Sequence, residues 1–215
     1  MKKEVLDVKC VSPQNTGWLE LTLPKTCMDK LWENIDESKK LNIDHRTELV
    51  GNIGTSLILK DTNNYFFNNI LINLVNVYFK KFPTTNPHIV PYVGKDYNYK
   101  IDSWWVNFQN KGEFNPIHHH RGIFSFVIWM RIPTNYKEQQ QLPFTKNSSK
   151  PSAGNFEFEY TNMLGYIEQY EYFMDAGLEA TMLFFPSKLM HQVYPFFVCD
   201  EKRISISGNI CLDIN

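Results

Sequence analysis

The hydrophobic pattern of this chain changes character near residue 100, and that change bounds the fold. Beyond it, short segments bounded by Pro, Gly, Asn and Ser alternate with a period of two. Phe156-Glu157-Phe158-Glu159-Tyr160 and Arg203-Ile204-Ser205-Ile206-Ser207 are the clearest. Strands are expected over 103–109, 123–132, 155–160, 179–185, 191–197 and 203–212, with a polar, mobile loop over 133–154. Before the change, residues 4–23 suggest strand-turn-strand. Met28, Leu31, Trp32 and Ile35 then place a helix over 26–40. Phe67, Ile70, Leu71, Leu74, Val75 and Tyr78 form one apolar stripe over 62–82, with Lys80-Lys81 in its last turn and Pro83 beyond. No repeat or long linker interrupts the chain. The expectation is one domain over 1–215: residues 1–100 as a helical support and 101–215 as a mainly β core. Helices first and many strands later suit a sandwich or barrel of the jelly-roll, cupin-like type.

Composition excludes several functions. With 43% of the chain hydrophobic and 15% aromatic, a packed core is assured. A net charge of −1 gives no field to attract nucleic acid or anionic lipid. No apolar run reaches the ~18 residues of a membrane span. Met1-Lys2-Lys3-Glu4-Val5-Leu6-Asp7 has charge but no apolar h-region, so a cytoplasmic protein is expected. Cys10, Cys27, Cys199 and Cys211 show no Cys-x-x-Cys spacing and suit free thiols in a reducing compartment. A homodimer is left open.

The chemistry is concentrated in histidine. Three of six histidines are consecutive, His118-His119-His120, and His191 lies far downstream at the start of an expected strand. Imidazole is the commonest protein ligand for a transition metal. On a strand, His118 and His120 point to one face and His119 to the other. His191 can supply a third ligand, leaving coordination positions open, as an iron oxygenase requires for its cosubstrate and dioxygen. Arg203 follows on another strand, sharing a face with Ser205 and Ser207 while Ile204 and Ile206 pack on the other. An inward-facing arginine needs an anion, and no acidic residue is near it in sequence. A bound carboxylate would fit its fork, with the Ser205 hydroxyl adding a hydrogen bond.

Together these segments resemble the iron(II)/2-oxoglutarate-dependent dioxygenases, and most closely a branch common in marine bacteria and their phages. The resemblance is carried by Ser103-Trp104-Trp105-Val106-Asn107-Phe108, Asn115-Pro116-Ile117-His118-His119-His120, Phe124-Ser125-Phe126-Val127-Ile128-Trp129, the run from Leu183 through Pro186-Ser187 to His191-Gln192-Val193-Tyr194-Pro195, and Arg203 through Ile210. It covers the second half of the chain. It implies a double-stranded β-helix and Fe(II) held by His118, His120 and His191. It implies 2-oxoglutarate with its distal carboxylate on Arg203 and Ser205, and Asn107 and Ser125 at polar positions facing the cosubstrate. The implied reaction is hydroxylation of an unactivated C–H bond by dioxygen, with decarboxylation of 2-oxoglutarate to succinate. The substrate, organic molecule or protein, is not readable.

One departure stands out. The family's usual His-x-Asp/Glu…His has a histidine, His120, in its middle position. His119 and Glu113 are therefore kept as alternative ligands. Two rival functions also stay open. A cupin-like three-histidine metalloenzyme without 2-oxoglutarate would explain the missing acid but leave Arg203 idle. A non-enzymatic jelly-roll structural protein would use neither. His45 and His88 suit ordinary buried polar roles, Trp104-Trp105 a core role, and Arg121 either a surface role or contact with an acidic substrate.

Overall fold

The computed structural model describes residues 7–11, 15–83 and 98–213. His88 and residues 4–6 and 12–14 of the expected strand-turn-strand lie outside the described residues; 7–11 form no strand, and of that stretch only Leu19–Thr22 is strand. Ten strands form two antiparallel sheets among those described. The six-stranded sheet runs in the order β1 (Leu19–Thr22), β8 (Thr181–Pro186), β5 (Phe124–Arg131), β10 (Arg203–Asp213), β3 (Asn98–Gln109), β2 (Ser56–Ile58). The four-stranded sheet runs β4 (Asn115–His118), β9 (Met190–Val193), β6 (Phe156–Thr161), β7 (Ile167–Tyr172). This is a jelly roll, mainly β, with its helices on the outside.

The large sheet is buried on both faces, which is why β5 and β8 are almost continuously apolar. Alternation assigns each residue a side. Val106, Phe126, Ile128, Met182, Phe184 and Ile206 face the helices. Val127, Trp129, Leu183 and Phe185 face the small sheet and meet Phe156 and Phe158. Helix α1 (Lys25–Leu41) buries Cys27, Leu31, Ile35 and Ser38 against the helix-side face. Its buried face lies slightly around from the expected one, so Met28 and Trp32 are only half-buried. The second helical stretch opens with a π turn at Phe67–Leu71 before α2 (Ile72–Lys81), and buries Leu71, Val75 and Tyr78 as the stripe requires.

Two expectations change. Residues 191–197 are strand only to Val193. Residues 133–154 include a short helix, Tyr136–Gln140, whose Gln139 is fully buried and accepts from the Phe197 N–H at 2.8 Å. Glu157, an outward position on β6, is also fully buried, where its carboxylate accepts from Lys150 Nζ at 2.8 Å and Gln192 Nε2 at 2.7 Å.

Candidate active site

Strand register builds the histidine cluster. In the β4–β9 pair, His118 is directly opposite His191. β4 ends at His118; two residues on, the His120 N–H donates to the Ser187 carbonyl at 2.8 Å, which holds His120 beside the pair. The ligating nitrogens of His118, His120 and His191 all lie within 4.8 Å of one another. His118 Nδ1 is 2.7 Å from the Pro116 carbonyl and His191 Nδ1 is 2.9 Å from the Leu189 carbonyl. A carbonyl can only accept, so both Nδ1 atoms carry the proton and both Nε2 atoms present a lone pair. His120 Nε2 and His191 Nε2 stand 3.1 Å apart. Two imidazoles at adjacent octahedral positions, each about 2.1 Å from a divalent ion, would have their nitrogens about 3.0 Å apart. The three residues thus fit a metal. Among the described residues no carboxylate joins the cluster.

Burial keeps these rings neutral and able to ligate. It lowers His118, pushes His120 down to about 3, and holds His191 well below the ordinary imidazole range; the neighbouring imidazoles add to the effect in each case. His119 is exposed and lines the same cavity without joining the cluster, its Nδ1 3.3 Å from the His120 carbonyl. Glu113 is occupied elsewhere: its carboxylate accepts from Asn110 N and Nδ2, both at 2.8 Å, and closes the β3–β4 turn.

The cluster opens on a cavity of about 670 Å³ between the two sheets. Its floor is a ladder of β10–β3 pairs: Arg203 with Gln109, Ser205 with Asn107, Ser207 with Trp105, Asn209 with Ser103. Arg203 is 3% exposed. Its Nε donates to Gln109 Oε1 at 2.9 Å, Nη1 to the Gly154 carbonyl at 2.5 Å, and Nη2 to the Tyr194 carbonyl at 3.1 Å. The guanidinium also sits 5.3 Å from the Phe196 ring. All these partners are neutral. Burial without a compensating carboxylate lowers the group to about 10.

Comparison with known proteins agrees with this geometry. The model of a family described as "Putative 2OG-Fe(II) oxygenase" matches residues 103–209, the span that contains the whole histidine cluster's β4, the β3–β10 ladder and Arg203. The chain belongs to the 2-oxoglutarate/iron(II) oxygenases. Members of this family use Fe(II) and 2-oxoglutarate, and the protein is an oxygenase enzyme. A prolyl-4-hydroxylase from Pseudomonas putida has the same fold, with 12% identity, a TM-score of 0.50, and coverage of 90% of this chain and 91% of its own. The viral collagen prolyl hydroxylase of Paramecium Bursaria Chlorella virus-1, solved with 2-oxoglutarate, has 12% identity, TM-score 0.46, and coverage of 90% and 94%. A 2OG-Fe(II) oxygenase family oxidoreductase from Burkholderia pseudomallei has 14% identity, TM-score 0.43, and coverage of 89% and 84%. No curated protein matches by sequence. No described helix is long and apolar enough to cross a membrane.

The oxygenase brings His118, His120, His191, Arg203, Ser205 and Asn107 to one cavity. Ser125 is placed differently. It is 1% exposed and is not among the lining residues, although it shares the inward face of β5 with Val127 and Trp129; its hydroxyl is 2.8 Å from Asn209 Oδ1 and 2.9 Å from Ser187 Oγ. An amide oxygen cannot donate, so Ser125 donates to Asn209 and Ser187 donates to Ser125. Several wall residues escaped sequence reasoning. Gln109 shares the inward face of β3 with Asn107, a relation that alternation alone could have shown. Trp104 enters the helix-side core, whereas Trp105 faces the cavity. His45 also lines the cavity and packs on Trp105, with ring centroids 4.6 Å apart. Nothing local in the sequence marks it. Arg121 is exposed at the same cavity.

Proposed function

We propose that His118, His120 and His191 hold the Fe(II) and that Arg203 and Ser205 bind the distal carboxylate of 2-oxoglutarate, with Asn107, directly opposite Ser205, at the boundary between the cosubstrate and the rest of the cavity. One observation carries this reading: a buried guanidinium with only neutral partners shares a cavity with three neutral imidazoles. An arginine has five N–H donors. Gln109, Gly154 and Tyr194 take one each, which leaves one on each terminal nitrogen for the two oxygens of a carboxylate. The same three contacts fix the fork before any ligand arrives, so little side-chain entropy is lost on binding.

The bound iron and its cosubstrate supply the oxidising chemistry, here the hydroxylation of an unactivated C–H bond with release of succinate. The protein supplies position. Backbone carbonyls orient two imidazoles. The aromatic and aliphatic residues Phe156, Phe185 and Val193 keep the inner cavity apolar, which strengthens ion pairing to Arg203. Three neutral ligands leave the metal's charge uncompensated by protein, so a dianionic cosubstrate stabilises the metal as well as itself. Among the described residues before β3, the helices α1 and α2 serve as support, seated on the outer face of the large sheet, while β1 and β2 extend that sheet.

The test is direct. Protein loaded with Fe(II) should consume 2-oxoglutarate and oxygen and form succinate, and calorimetry should show 2-oxoglutarate binding only with metal present. A metal-loaded protein with no affinity for 2-oxoglutarate would instead point to a three-histidine enzyme of another kind.

A further inference from the structure

Three neighbouring polar atoms on the cavity side of β2 and β3 have no hydrogen-bond partner among the described residues: Ser56 Oγ, Trp105 Nε1 and Asn107 Oδ1. Register explains why they are neighbours. Ser56 is directly opposite Asn107, and Ile58 opposite Trp105. The intervening pair, Leu57 and Val106, enters the helix-side core. Ser56 and Asn107 therefore share the other face, with Cβ atoms about 5 Å apart, and Trp105 is a diagonal neighbour at about 7–8 Å. All three are buried, at 1%, 4% and 5% exposure. Trp105 and Asn107 line the cavity, and the Trp105 ring is 5.9 Å from that of His120.

Buried polar atoms are nearly always paired, and an unpaired one costs free energy. Three together, beside a metal-binding cluster, mark a place built for a ligand group. Their chemistry limits which group. Trp105 Nε1 only donates, Asn107 Oδ1 only accepts, and the Ser56 hydroxyl does either. With the Asn107 amide oriented as it is, a carboxylate would set acceptor against acceptor there. An ammonium would set donor against donor at Trp105. A neutral group with an acceptor beside a donor satisfies all three.

We propose that Ser56, Trp105 and Asn107 form a subsite for a neutral carboxamide or hydroxyl group of the primary substrate, beside the histidine cluster. This inference rests on reading the cavity as the oxygenase site, with the cosubstrate held at the Arg203 end. The indole N–H is its reporter.

The experiment uses the full chain loaded with zinc(II), in place of iron, and saturated with 2-oxoglutarate. Trp105 indole ¹⁵N–¹H resonance is followed on adding N-methylacetamide, acetate or methylammonium. Trp105→Phe keeps a ring and identifies the resonance by its loss. If that variant does not fold, exchanging zinc for high-spin iron identifies it instead, as the indole broadened by the nearby metal. N-methylacetamide should shift the resonance saturably, with little response to the two ions, and Ser56→Ala should weaken the amide by about tenfold. No response to any probe, or an equal response to acetate, would overturn the subsite. So would a resonance already shifted by 2-oxoglutarate alone and then insensitive to the amide. Calorimetry on the same samples separates the two readings. Absent 2-oxoglutarate binding with an intact amide response removes the cosubstrate assignment and leaves the subsite standing; the opposite result removes the subsite alone.

Discussion

His118 and His191 face each other across the β4–β9 pair, with ring centroids 4.3 Å apart. Residues distant in the chain are thereby brought together by backbone pairing, without reliance on loop closure. His120, past the end of β4, is held by its own N–H to Ser187 on the far side of the β8–β9 turn. The cluster is thus preorganised: sheet hydrogen bonds set its spacing, and the Pro116 and Leu189 carbonyls set two of its tautomers.

His191→Ala should lose metal and keep the fold. The ring is 4% exposed and packs against Phe185 and Phe156, so its removal leaves a small cavity and costs on the order of 1–3 kcal/mol. Iron content should fall from near one per chain to below about a tenth, as expected when a three-ligand site loses one ligand. Metal analysis beside circular dichroism checks both halves. Near-stoichiometric iron in the folded variant would remove His191 from the ligand set.

Arg203→Ala should act twice. Loss of the guanidinium removes the carboxylate's fork and should raise the 2-oxoglutarate Kd at least about a hundredfold. It also strips Gln109, Gly154 and Tyr194 of a donor each, and unpaired buried acceptors cost about 1–3 kcal/mol apiece before relaxation. Arg203→Lys restores charge without the fork and should recover only part of either loss. Calorimetry and thermal unfolding read the two effects separately. An unchanged Kd would make the arginine purely structural.

Much of this architecture could be seen in the sequence because it rests on periodicity. The β10 run Arg203 to Ser207 alternates cleanly, and the structure separates its two faces as that alternation demands. The stripe from Phe67 to Tyr78 likewise marks a buried helix. The histidines were visible through their rarity and spacing. What remained hidden depends on strand register. Ser56 is one serine in a three-residue strand, and only its pairing with Asn107 shows that it belongs to the cavity-side face. β7 was hidden because Ile167–Tyr172 is an edge strand, mostly exposed and rich in Glu and Gln, with only Tyr170 and Tyr172 to mark its inward face. Gly154 and Tyr194 act through backbone carbonyls, which no side-chain pattern reveals.

Ser125→Ala tests whether this serine contacts the cosubstrate or supports the wall. Its hydroxyl joins Ser187 to Asn209, and losing it leaves a buried amide oxygen without its donor, at a cost of about 1–2 kcal/mol. The melting temperature should drop by several degrees while the 2-oxoglutarate Kd changes less than about threefold. A large Kd increase with little loss of stability would assign Ser125 to the cosubstrate directly.

Acid should destabilise the metal-free protein earlier than carboxylate titration would. His45, His118, His120 and His191 are all lowered in the folded state, with burial the largest cause in each. Folded, they are neutral; unfolded, they bind protons near pH 6.5. The unfolded state therefore takes up more protons as pH falls through that value, and stability decreases with it. For His120, held down to about 3, the loss reaches about 2 kcal/mol by pH 5. Zinc or iron should move the acid transition to lower pH, because the metal and the proton compete for the same imidazole lone pairs. Thermal unfolding from pH 7.5 to 4.5, with and without metal, measures both effects. A metal-free melting temperature flat between pH 7 and 5 would show that the rings are not held neutral by burial.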